Sequence, residues 1–213
     1  MKLYTYYRSS AAFRVRIALN LKGLEAVPVP VHLARGEQTG AAYRARNPQA
    51  LVPALELDDG RVLTQSMAIL EYLDETVPEP ALLPADPVDR ARVRAMADLI
   101  ACDIHPLNNL RVLTYLKGPL DQTPAAVGAW YGHWVRAGFA ALETLVAAQG
   151  ARFCWGDRPG LADLCLVPQM WNARRFEVPL DDFPTLVRID AALRALPAFA
   201  ASAPEVQPDA PAV

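Results

Sequence analysis

The sequence has few residues of the types that build disulfides and metal sites. Its 213 residues include only three cysteines and three histidines. Cys102, Cys154 and Cys165 form no C-x-x-C pair, and an odd number of thiols cannot be paired completely. We therefore expect buried, reduced thiols in a cytoplasmic protein. Because the histidines are scattered along the chain, we predict no metal site.

The chain also lacks an excess of one charge and a long apolar run. It has 21 basic and 23 acidic residues, a formal net charge of −2, which argues against binding to a nucleic-acid backbone. No apolar stretch approaches the roughly 20 residues of a membrane span, so no membrane partner is expected. The opening MKLYTYYRSS does not have the apolar core of a secretory signal.

Proline is abundant, with 19 copies, and it divides the chain. The densest cluster lies at 78–87, where four prolines fall close together. Short segments of alternating type precede this cluster, and helical patterns follow it. We predict one domain over residues 1–83 and a second over residues 84–213.

The first half is predicted to run β-α-β-α-β-β-α. A short β-rich segment covers residues 3–7. Ser9 and Ser10 can cap a helix that runs to Gly23. Residues 26–31 alternate between valine and proline after Ala26, and the two prolines remove ladder donors, which predicts an edge strand.

The rest of this half predicts a weaker helix over 36–46 and a hairpin over 54–64. Ser66 is predicted to cap the last helix, which continues to Val77.

The second half is predicted to be entirely helical. Asp86 and Pro87 have the pattern of a helix start. We predict a long helix from about 88 to 117, kinked at Pro106. Further helices are predicted over about 125–148 and from about 160 onward, and the Pro- and Ala-rich tail 203–213 is predicted to be mobile.

Three motifs can carry chemistry. Arg8-Ser9-Ser10 lies between a strand and a helix, where a helix N-terminus favours an anion such as a thiolate. Val52-Pro53 precedes a strand, where a cis peptide bond can turn backbone polar groups toward a ligand. Gln65-Ser66 offers a hydroxyl and helix N–H groups to a carboxylate. For each motif, ordinary capping or an ordinary trans turn remains the alternative.

In this order, the motifs resemble the zeta class of glutathione transferases over essentially the whole chain. The Ser-Ser…Arg-Val-Arg-Ile-Ala-Leu run is specific to this class, whereas the Val-Pro and Gln-Ser motifs occur in most glutathione transferases. The matching segments are residues 6–23 (YYRSSAAFRVRIALNLKG), 47–49 (NPQ), 51–55 (LVPAL), 65–73 (QSMAILEYL), 84–86 (PAD), 103–109 (DIHPLNN), 162–163 (AD), 167–169 (VPQ) and 173–176 (ARRF).

The resemblance implies an α/β thioredoxin-like domain followed by an all-α domain, assembled as a homodimer that binds glutathione. It implies that Ser9 donates to the glutathione sulfur and that the substrate carboxylates meet arginines. The implied catalytic residues are Ser9, Arg8 and Arg175. The implied glutathione-binding residues are Ser9, Ser10, Ala11, Gln38, Val52, Pro53, Gln65, Ser66, Asp103, His105, Asn109 and Arg111. The implied substrate-binding residues are Arg8, Arg111 and Arg175.

The chain departs from the family pattern at two positions. Ala11 stands where many members have cysteine, which argues against a protein thiol as nucleophile and leaves glutathione as the sulfur source. Gly160 stands where the family helix begins with Ser or Thr, and glycine is an acceptable cap at small cost.

The reaction that the resemblance implies is a glutathione-dependent cis–trans isomerisation of a maleyl dicarboxylate, either maleylacetoacetate or maleylpyruvate. Two alternatives remain open. One is a general glutathione transferase that acts on small electrophiles such as α-halo acids. The other is a non-catalytic binding protein with the same fold.

Overall fold

The structure is a computed structural model that describes residues 1–211. Contacts group residues 1–82 with 194–213 in one compact unit and residues 83–193 in a second. The domain limits drawn from the sequence, 1–83 and 84–213, remain a prediction. The contacts add that the segment from residue 194 onward groups with the first unit.

The first unit is built on a four-stranded mixed sheet. Strand β1 pairs in parallel with β2 and antiparallel with β3, which pairs antiparallel with β4, giving the order β2-β1-β3-β4. The predicted hairpin is confirmed as β3 and β4. The strands are β1 (Lys2–Thr5), β2 (Val27–Pro30), β3 (Ala54–Glu56) and β4 (Val62–Thr64).

Strand β2 lies at the edge of the sheet, as its prolines predict. The N–H groups of Val27 and Val31 donate to β1, at 3.0 Å to the Met1 carbonyl and 2.8 Å to the Thr5 carbonyl. Donors alternate along a strand, so the nitrogens of Pro28 and Pro30 face away from β1. Proline therefore replaces only donors that have no partner in this sheet.

Two helices of the first unit start beside the sheet. Helix α1 covers Ser10–Leu21 and helix α3 covers Ser66–Thr76, and the two pack together. The predicted helix over 36–46 is broken at Gly40, whose backbone is extended (φ −65°, ψ 148°). Its place is taken by a 3-10 turn, Glu37–Thr39, and by the four-residue helix α2, Ala41–Arg44, and another 3-10 turn, Leu33–Arg35, precedes it.

The second unit is helical, as predicted, but its first helix differs from the prediction. Helix α4 has the expected Asp86 cap, which accepts the Val88 and Asp89 N–H groups. The chain is not one helix kinked at Pro106. Instead α4 passes into a π-helical turn and the chain leaves helical geometry around Pro106, where proline cannot donate. The helical segments are α4 (Pro87–Asp98), the π-helical turn (Leu99–Ile104), α5 (Leu110–Lys117), α6 (Pro124–Ala147), α7 (Leu161–Arg175) and α8 (Pro184–Arg194).

Gly138 lets the π-helical turn approach α6 closely. A Cβ atom on Gly138 would lie 2.3 Å from Cδ1 and 2.4 Å from Cγ1 of Ile104. Ile104 is fully buried, so its side chain has little room to withdraw. A side chain at 138 is thus excluded by the residue that ends the π-helical turn.

Gly160 occupies the N-cap position of helix α7, and the Asp163 side chain provides the capping hydrogen bonds. The Asp163 carboxylate accepts the Gly160 N–H at 2.8 Å and the Cys154 N–H at 3.0 Å. Asp163 is buried, and this burial raises its pKa to about 6 against the opposing effect of those two hydrogen bonds. Glycine at the cap position therefore leaves the helix start well satisfied.

The segment 197–211, here named the C-terminal strap, packs on the first unit. It contains the short helix α9 (Pro197–Ala200) and a 3-10 turn (Pro204–Val206). The predicted mobility of the tail is wrong for residues 203–211, because Pro204 is buried and Asp209 accepts a backbone hydrogen bond from Tyr7. The last two residues, 212 and 213, lie outside the described part of the chain.

Two expectations about composition can be compared with the structure. None of the three cysteines forms a disulfide within the described residues; Cys154 and Cys165 are buried as expected, but Cys102 is exposed. Within residues 1–211, no helix has the length and hydropathy needed to cross a membrane.

Candidate active site

The sheet topology brings the three sequence motifs of the first unit to one end of the sheet. Tyr4 near the end of β1 is paired with Ala54 at the start of β3, and Ala54 is paired with Thr64 at the end of β4. Residues just after β1, just before β3 and just after β4 therefore lie side by side. These residues are the Arg8-Ser9-Ser10, Val52-Pro53 and Gln65-Ser66 motifs.

Ser9 caps helix α1, as predicted. Its backbone is extended (φ −71°, ψ 112°) and its hydroxyl oxygen accepts the Ala12 N–H at 3.2 Å. The hydroxyl accepts through its oxygen, so its proton can still be donated to an anion in front of the helix. The positive end of the helix dipole favours negative charge at the same place.

The neighbours of Ser9 differ in exposure. Arg8 is exposed and its guanidinium lies 4.9 Å from the centre of the Tyr7 ring. Ser10 is buried and Ala11 is half-buried in the first turn of α1. Arg8 is therefore the charged side chain of this motif that solvent can reach.

The Val52–Pro53 peptide bond is cis, as the sequence suggested. The loop before it is held by two donors to the Leu51 carbonyl, the Tyr43 hydroxyl at 2.6 Å and the Asn47 side-chain amide at 2.7 Å. Val52 and Pro53 are both buried. Tyr43 and Asn47 thus fix the backbone that enters this bond.

The prediction that Ser66 caps helix α3 is wrong. Gln65 occupies the cap position with a positive φ of 68°, and Ser66 is the first helical residue. The Ser66 hydroxyl instead accepts a hydrogen bond at 3.2 Å from Arg14. Left-handed backbone in a residue other than glycine is strained and concentrates at functional sites.

Arg14 belongs to this site through its hydrogen bond to Ser66, although the sequence assigned it no ligand role. It is buried, and two of its guanidinium nitrogens, Nε and Nη2, are buried without a hydrogen-bond partner among the described residues. The guanidinium places a positive charge beneath the start of α3, in addition to the helix dipole. Arg14 directly follows Phe13 on the buried face of α1. The amphipathic spacing of this helix was the only sequence signal for Arg14.

Gln49 and Gln38 extend the first-unit site around Gln65. The Gln65 side-chain amide donates to the Gln49 carbonyl oxygen at 2.7 Å, and both side chains are exposed. Gln38 lies in the second 3-10 turn, and its Oε1 is buried without a partner among residues 1–211. An unpaired buried acceptor favours a donor from a ligand or water.

Four predicted site residues of the second unit lie within or between the π-helical turn and the first turn of α5. Asp103 is exposed in the turn, and His105 follows its last residue. Asn109 caps α5 by accepting the Arg111 N–H at 3.2 Å, and Arg111 is exposed. A new helix therefore starts after Asn109, within the span predicted as one long helix. The ligand roles of these four residues remain predictions.

Arg175 lies at the end of α7 in an aromatic setting. Its guanidinium is 4.5 Å from the centre of the Phe176 ring and 5.5 Å from that of Trp171. Phe176 in turn stacks on Tyr131 with ring centroids 3.8 Å apart. Burial raises the pKa of Tyr131 to about 12, with Arg175 opposing the shift, so this phenol is neutral near pH 7.

Tyr131 connects the two parts of the second-unit set. The Asn108 amide donates to the Tyr131 carbonyl at 3.2 Å, which ties the segment before Asn109 to helix α6. Tyr131 therefore contacts both this segment and the end of α7. The sequence offered a weak signal for it, since Val127, Tyr131 and Val135 recur at helical spacing.

Comparisons with known proteins agree with this arrangement. Residues 8–76 match the family described as Glutathione S-transferase, N-terminal domain. The maleylacetoacetate isomerase of Pseudomonas aeruginosa is 53% identical, with 100% of both chains covered.

Solved structures extend the likeness to the whole fold. A holo maleylpyruvate isomerase, described as a bacterial glutathione S-transferase in the zeta class, superposes with a TM-score of 0.97 at 49% identity, covering 99% of this chain and 100% of that one. A maleylacetoacetate isomerase from Anaeromyxobacter dehalogenans, with dicarboxyethyl glutathione and citrate in its active site, has a TM-score of 0.89 at 48% identity, covering 99% and 97%.

Proposed function

The chain belongs to the zeta class of the glutathione S-transferase family, and from this membership we propose that it is a glutathione-dependent cis–trans isomerase. Its substrate is a maleyl dicarboxylate, maleylacetoacetate or maleylpyruvate, which it converts to the fumaryl isomer. Relatives named for these two activities share about half of its residues over the full length. The observation that carries the proposal is the alignment of three anion- and peptide-binding motifs along one end of the sheet.

Glutathione fits the spacing of these motifs. Neighbouring strands lie about 4.8 Å apart, so the ends of β1 and β4 are separated by about 10 Å. An extended chain of three residues spans at most about 10 Å. The cysteinyl sulfur is then assigned to Ser9, the cysteinyl backbone to Val52 beside Pro53, and the γ-glutamyl end to Gln65 and Ser66.

The remaining glutathione contacts are assigned by charge and by the family pattern. Gln38, with its unpaired acceptor, and His105 are assigned to the glycine end. Ser10 and Ala11 line the start of α1, and Asp103, Asn109 and Arg111 complete the set.

The first chemical task is to keep the glutathione sulfur as a thiolate. A thiolate in front of α1 is stabilised by the helix dipole and by a hydrogen bond from the Ser9 hydroxyl, both of which lower the pKa of the thiol. Ala11 supplies no competing protein thiol. The nucleophile therefore comes from glutathione, which is regenerated at the end of the reaction.

The isomerisation proceeds by reversible addition. The thiolate forms an S–C bond to the alkene carbon, and the π electrons move through the conjugated ketone to its oxygen. The former double bond is now single and rotates. The enolate electrons then return, the S–C bond breaks, and the trans alkene and the thiolate are released.

Arginine is the side chain suited to the substrate's two carboxylates and to the enolate charge. Arg8 and Arg175 are assigned to catalysis, and both, with Arg111, to substrate binding. All three are exposed. The rings of Trp171 and Phe176 beside the Arg175 guanidinium restrict its orientation, while its N–H groups stay able to form a bidentate pair.

The relative with dicarboxyethyl glutathione bound supports this chemistry. In that molecule the glutathione sulfur is bonded to a saturated four-carbon diacid skeleton. This is the type of S–C bond that the addition step forms.

An assay with and without glutathione tests the proposal. Purified protein is mixed with maleylpyruvate or maleylacetoacetate, and the loss of the cis isomer is followed by absorbance while free thiol is measured in parallel. We expect isomerisation that requires glutathione and leaves its concentration unchanged. Stoichiometric loss of thiol would indicate a transferase instead, and no glutathione-dependent change would refute the enzyme assignment.

Two further properties are part of the proposal. We assign the protein to the cytoplasm, because Cys154 and Cys165, which are buried and form no disulfide in the described structure, suit a reducing compartment. We also assign it a homodimeric state on the family pattern, which light scattering on the purified protein measures directly.

A further inference from the structure

The C-terminal strap contacts the turn that delivers Ser9 to helix α1. The Tyr7 N–H donates to the Asp209 carboxylate at 2.9 Å, across 202 positions of sequence. Tyr7 lies two residues before Ser9, between the end of β1 and the start of α1. The turn is closed locally by the Ser9 N–H, which donates to the Tyr6 carbonyl at 2.9 Å. Asp209 thus accepts the hydrogen bond of the Tyr7 N–H, which lies between the end of β1 and the start of α1.

Arg16 holds the same turn through its carbonyl groups. Its guanidinium donates to the Tyr7 carbonyl and to the Thr5 hydroxyl, each at 3.1 Å, and its Nε donates to the Ser202 carbonyl of the strap at 3.1 Å. Burial lowers the pKa of Arg16 to about 10, and the negative charge of Asp209 opposes this effect. The strap therefore supplies both an acceptor for the turn and a compensating charge for the buried cation that fixes it.

Packing keeps the strap in register with the turn. The Asn20 amide donates to the Ser202 hydroxyl at 2.7 Å, which joins the strap to α1. At the other end, Ala210 packs against the buried cluster that contains Tyr6 and Tyr7. Asp209 lies between these two attachments, so its carboxylate cannot move freely away from the Tyr7 amide.

We propose that Asp209 is a positioning residue, which sets the direction of the Ser9 hydroxyl by fixing the Tyr7 amide. The inference rests on the proposed function, in which that hydroxyl donates to the glutathione sulfur. The direction of a capping side chain follows the backbone dihedral angles of the residues before it. Small displacements of a positioned group reduce rates steeply, by up to about 100-fold for 1 Å.

A purely structural role for Asp209 predicts a different outcome from a positioning role. If the carboxylate only adds stability, its loss lowers the melting temperature and leaves the chemistry of bound glutathione unchanged. If it positions Ser9, its loss weakens the hydrogen bond to the sulfur and reduces the thiolate fraction. The test therefore measures the bound thiol itself.

The experiment titrates the ultraviolet absorbance of the thiolate in the full-length protein saturated with glutathione, without substrate. Asp209→Ala removes the acceptor, Asp209→Asn keeps an acceptor oxygen without the charge, and Asp209→Glu moves the carboxylate by one methylene if the alanine variant does not fold. The matched control is Gln207→Ala, since the Gln207 side-chain amide donates to the Ala201 and Ala203 carbonyls, which both lie inside the strap. Steady-state kinetics and melting temperature are recorded for all variants.

We expect Asp209→Ala, or Asp209→Glu in its place, to lower the thiolate fraction at neutral pH and kcat together by about tenfold. KM for glutathione should change less than about threefold, and Asp209→Asn should stay within about threefold of the parent. For the control, Gln207→Ala, we expect only the melting temperature to fall.

The proposal is overturned if the thiol of Asp209→Ala, or of Asp209→Glu in its place, titrates like that of the parent. It is also overturned if Gln207→Ala shifts the thiol as much as the Asp209 variant does. Failure of the isomerase assignment is a separate result, seen as a parent protein that binds glutathione but does not isomerise maleyl compounds. The thiol titration still decides the role of Asp209 in that case.

Discussion

Replacing Gly138 with alanine should destabilise the protein because of one contact. The added Cβ would lie 2.3 Å from Cδ1 of Ile104, whereas carbon atoms pack at about 3.5–4.0 Å. One of the two segments must therefore move by more than about 1 Å. Ile104 is fully buried at the end of the π-helical turn, so the side chain cannot swing into solvent to relieve the contact.

The magnitude follows from comparison with two other glycines in the same helix. Gly128 and Gly132 also lie in α6, and a Cβ at either position meets nothing within 4 Å. Alanine there should stabilise the protein by about 0.5–1 kcal/mol, since glycine is a poor helix former. Gly138→Ala has the same favourable contribution from helix propensity, but it adds an overpacking cost of about 1–3 kcal/mol. The difference between the variants isolates that cost.

Urea unfolding followed by circular dichroism measures this difference. The parent and the three single variants are compared at equal protein concentration, and unchanged m-values confirm that only stability differs. A double variant, Gly138→Ala with Ile104→Ala, provides the matched test. Ile104→Ala alone leaves a cavity at a cost of about 2–5 kcal/mol, and the alanine methyl at 138 should recover part of it.

Equal stabilisation by alanine at 128, 132 and 138 would refute the reasoning. So would strict additivity in the double variant, because residues in contact should show a coupling energy. Either result would mean that the π-helical turn does not press on α6 at Gly138.

Three further outcomes follow from the site and the core. Ser9→Ala should raise the pKa of the bound glutathione thiol, as measured by thiolate absorbance. In steady-state kinetics, the factor by which kcat falls should exceed the factor by which glutathione binding weakens by about 10- to 100-fold. Arg175→Ala should raise KM for the dicarboxylate about 10-fold or more, whereas Arg174→Ala, which removes the 2.6 Å pair with buried Asp190, should lower the melting temperature and leave KM unchanged. Asp163, with its pKa raised to about 6, binds a proton more tightly in the folded state. The stability from that proton is complete below about pH 4 and is lost as pH rises through 6, by about 3 kcal/mol at most, and Asp163→Asn should flatten this part of the stability profile.

Each of these has a result that would contradict it. A thiol in Ser9→Ala that titrates as in the parent removes the serine from the sulfur site. Equal KM values for parent and Arg175→Ala remove this arginine from the substrate site. A stability profile with the same slope between pH 4 and 6 in parent and Asp163→Asn shows that another group titrates there.

Local sequence signals predicted the elements that depend on neighbouring residues. Asp86 and Ser9 cap the helices they were expected to cap, because capping involves only the next three residues. The prolines of β2 marked an edge strand for a similarly local reason. The hairpin of β3 and β4 also formed where a short polar turn separates two apolar runs.

The signals failed where distant residues decide the structure. Ser66 has a capping hydroxyl, but Arg14 from another helix binds it, and Gln65 takes the cap position. The π-helical turn that follows α4 packs against α6 through Ile104 at Gly138, a contact that periodicity does not encode. The tail has the composition of a mobile segment, yet Asp209 finds the Tyr7 amide at the opposite end of the chain.

The candidate site was predictable in part for the same reason. The motifs of the first unit were visible because each is a short run at a strand or helix end. The family resemblance, rather than spacing, supplied the residues of the second unit. Arg14, Tyr131 and Asp209 were missed, since each acts through a partner that is far away in sequence.

The two prolines on β2 have a consequence for how this protein behaves in a crowded solution. A foreign strand approaching that border would meet carbonyl oxygens but no amide hydrogens from Pro28 or Pro30, so it could form only part of a ladder. Growth of the sheet from one molecule into the next is thereby discouraged at β2, even while the chain is still folding. The same residues that make this strand a poor one on propensity grounds protect the protein against ordered aggregation.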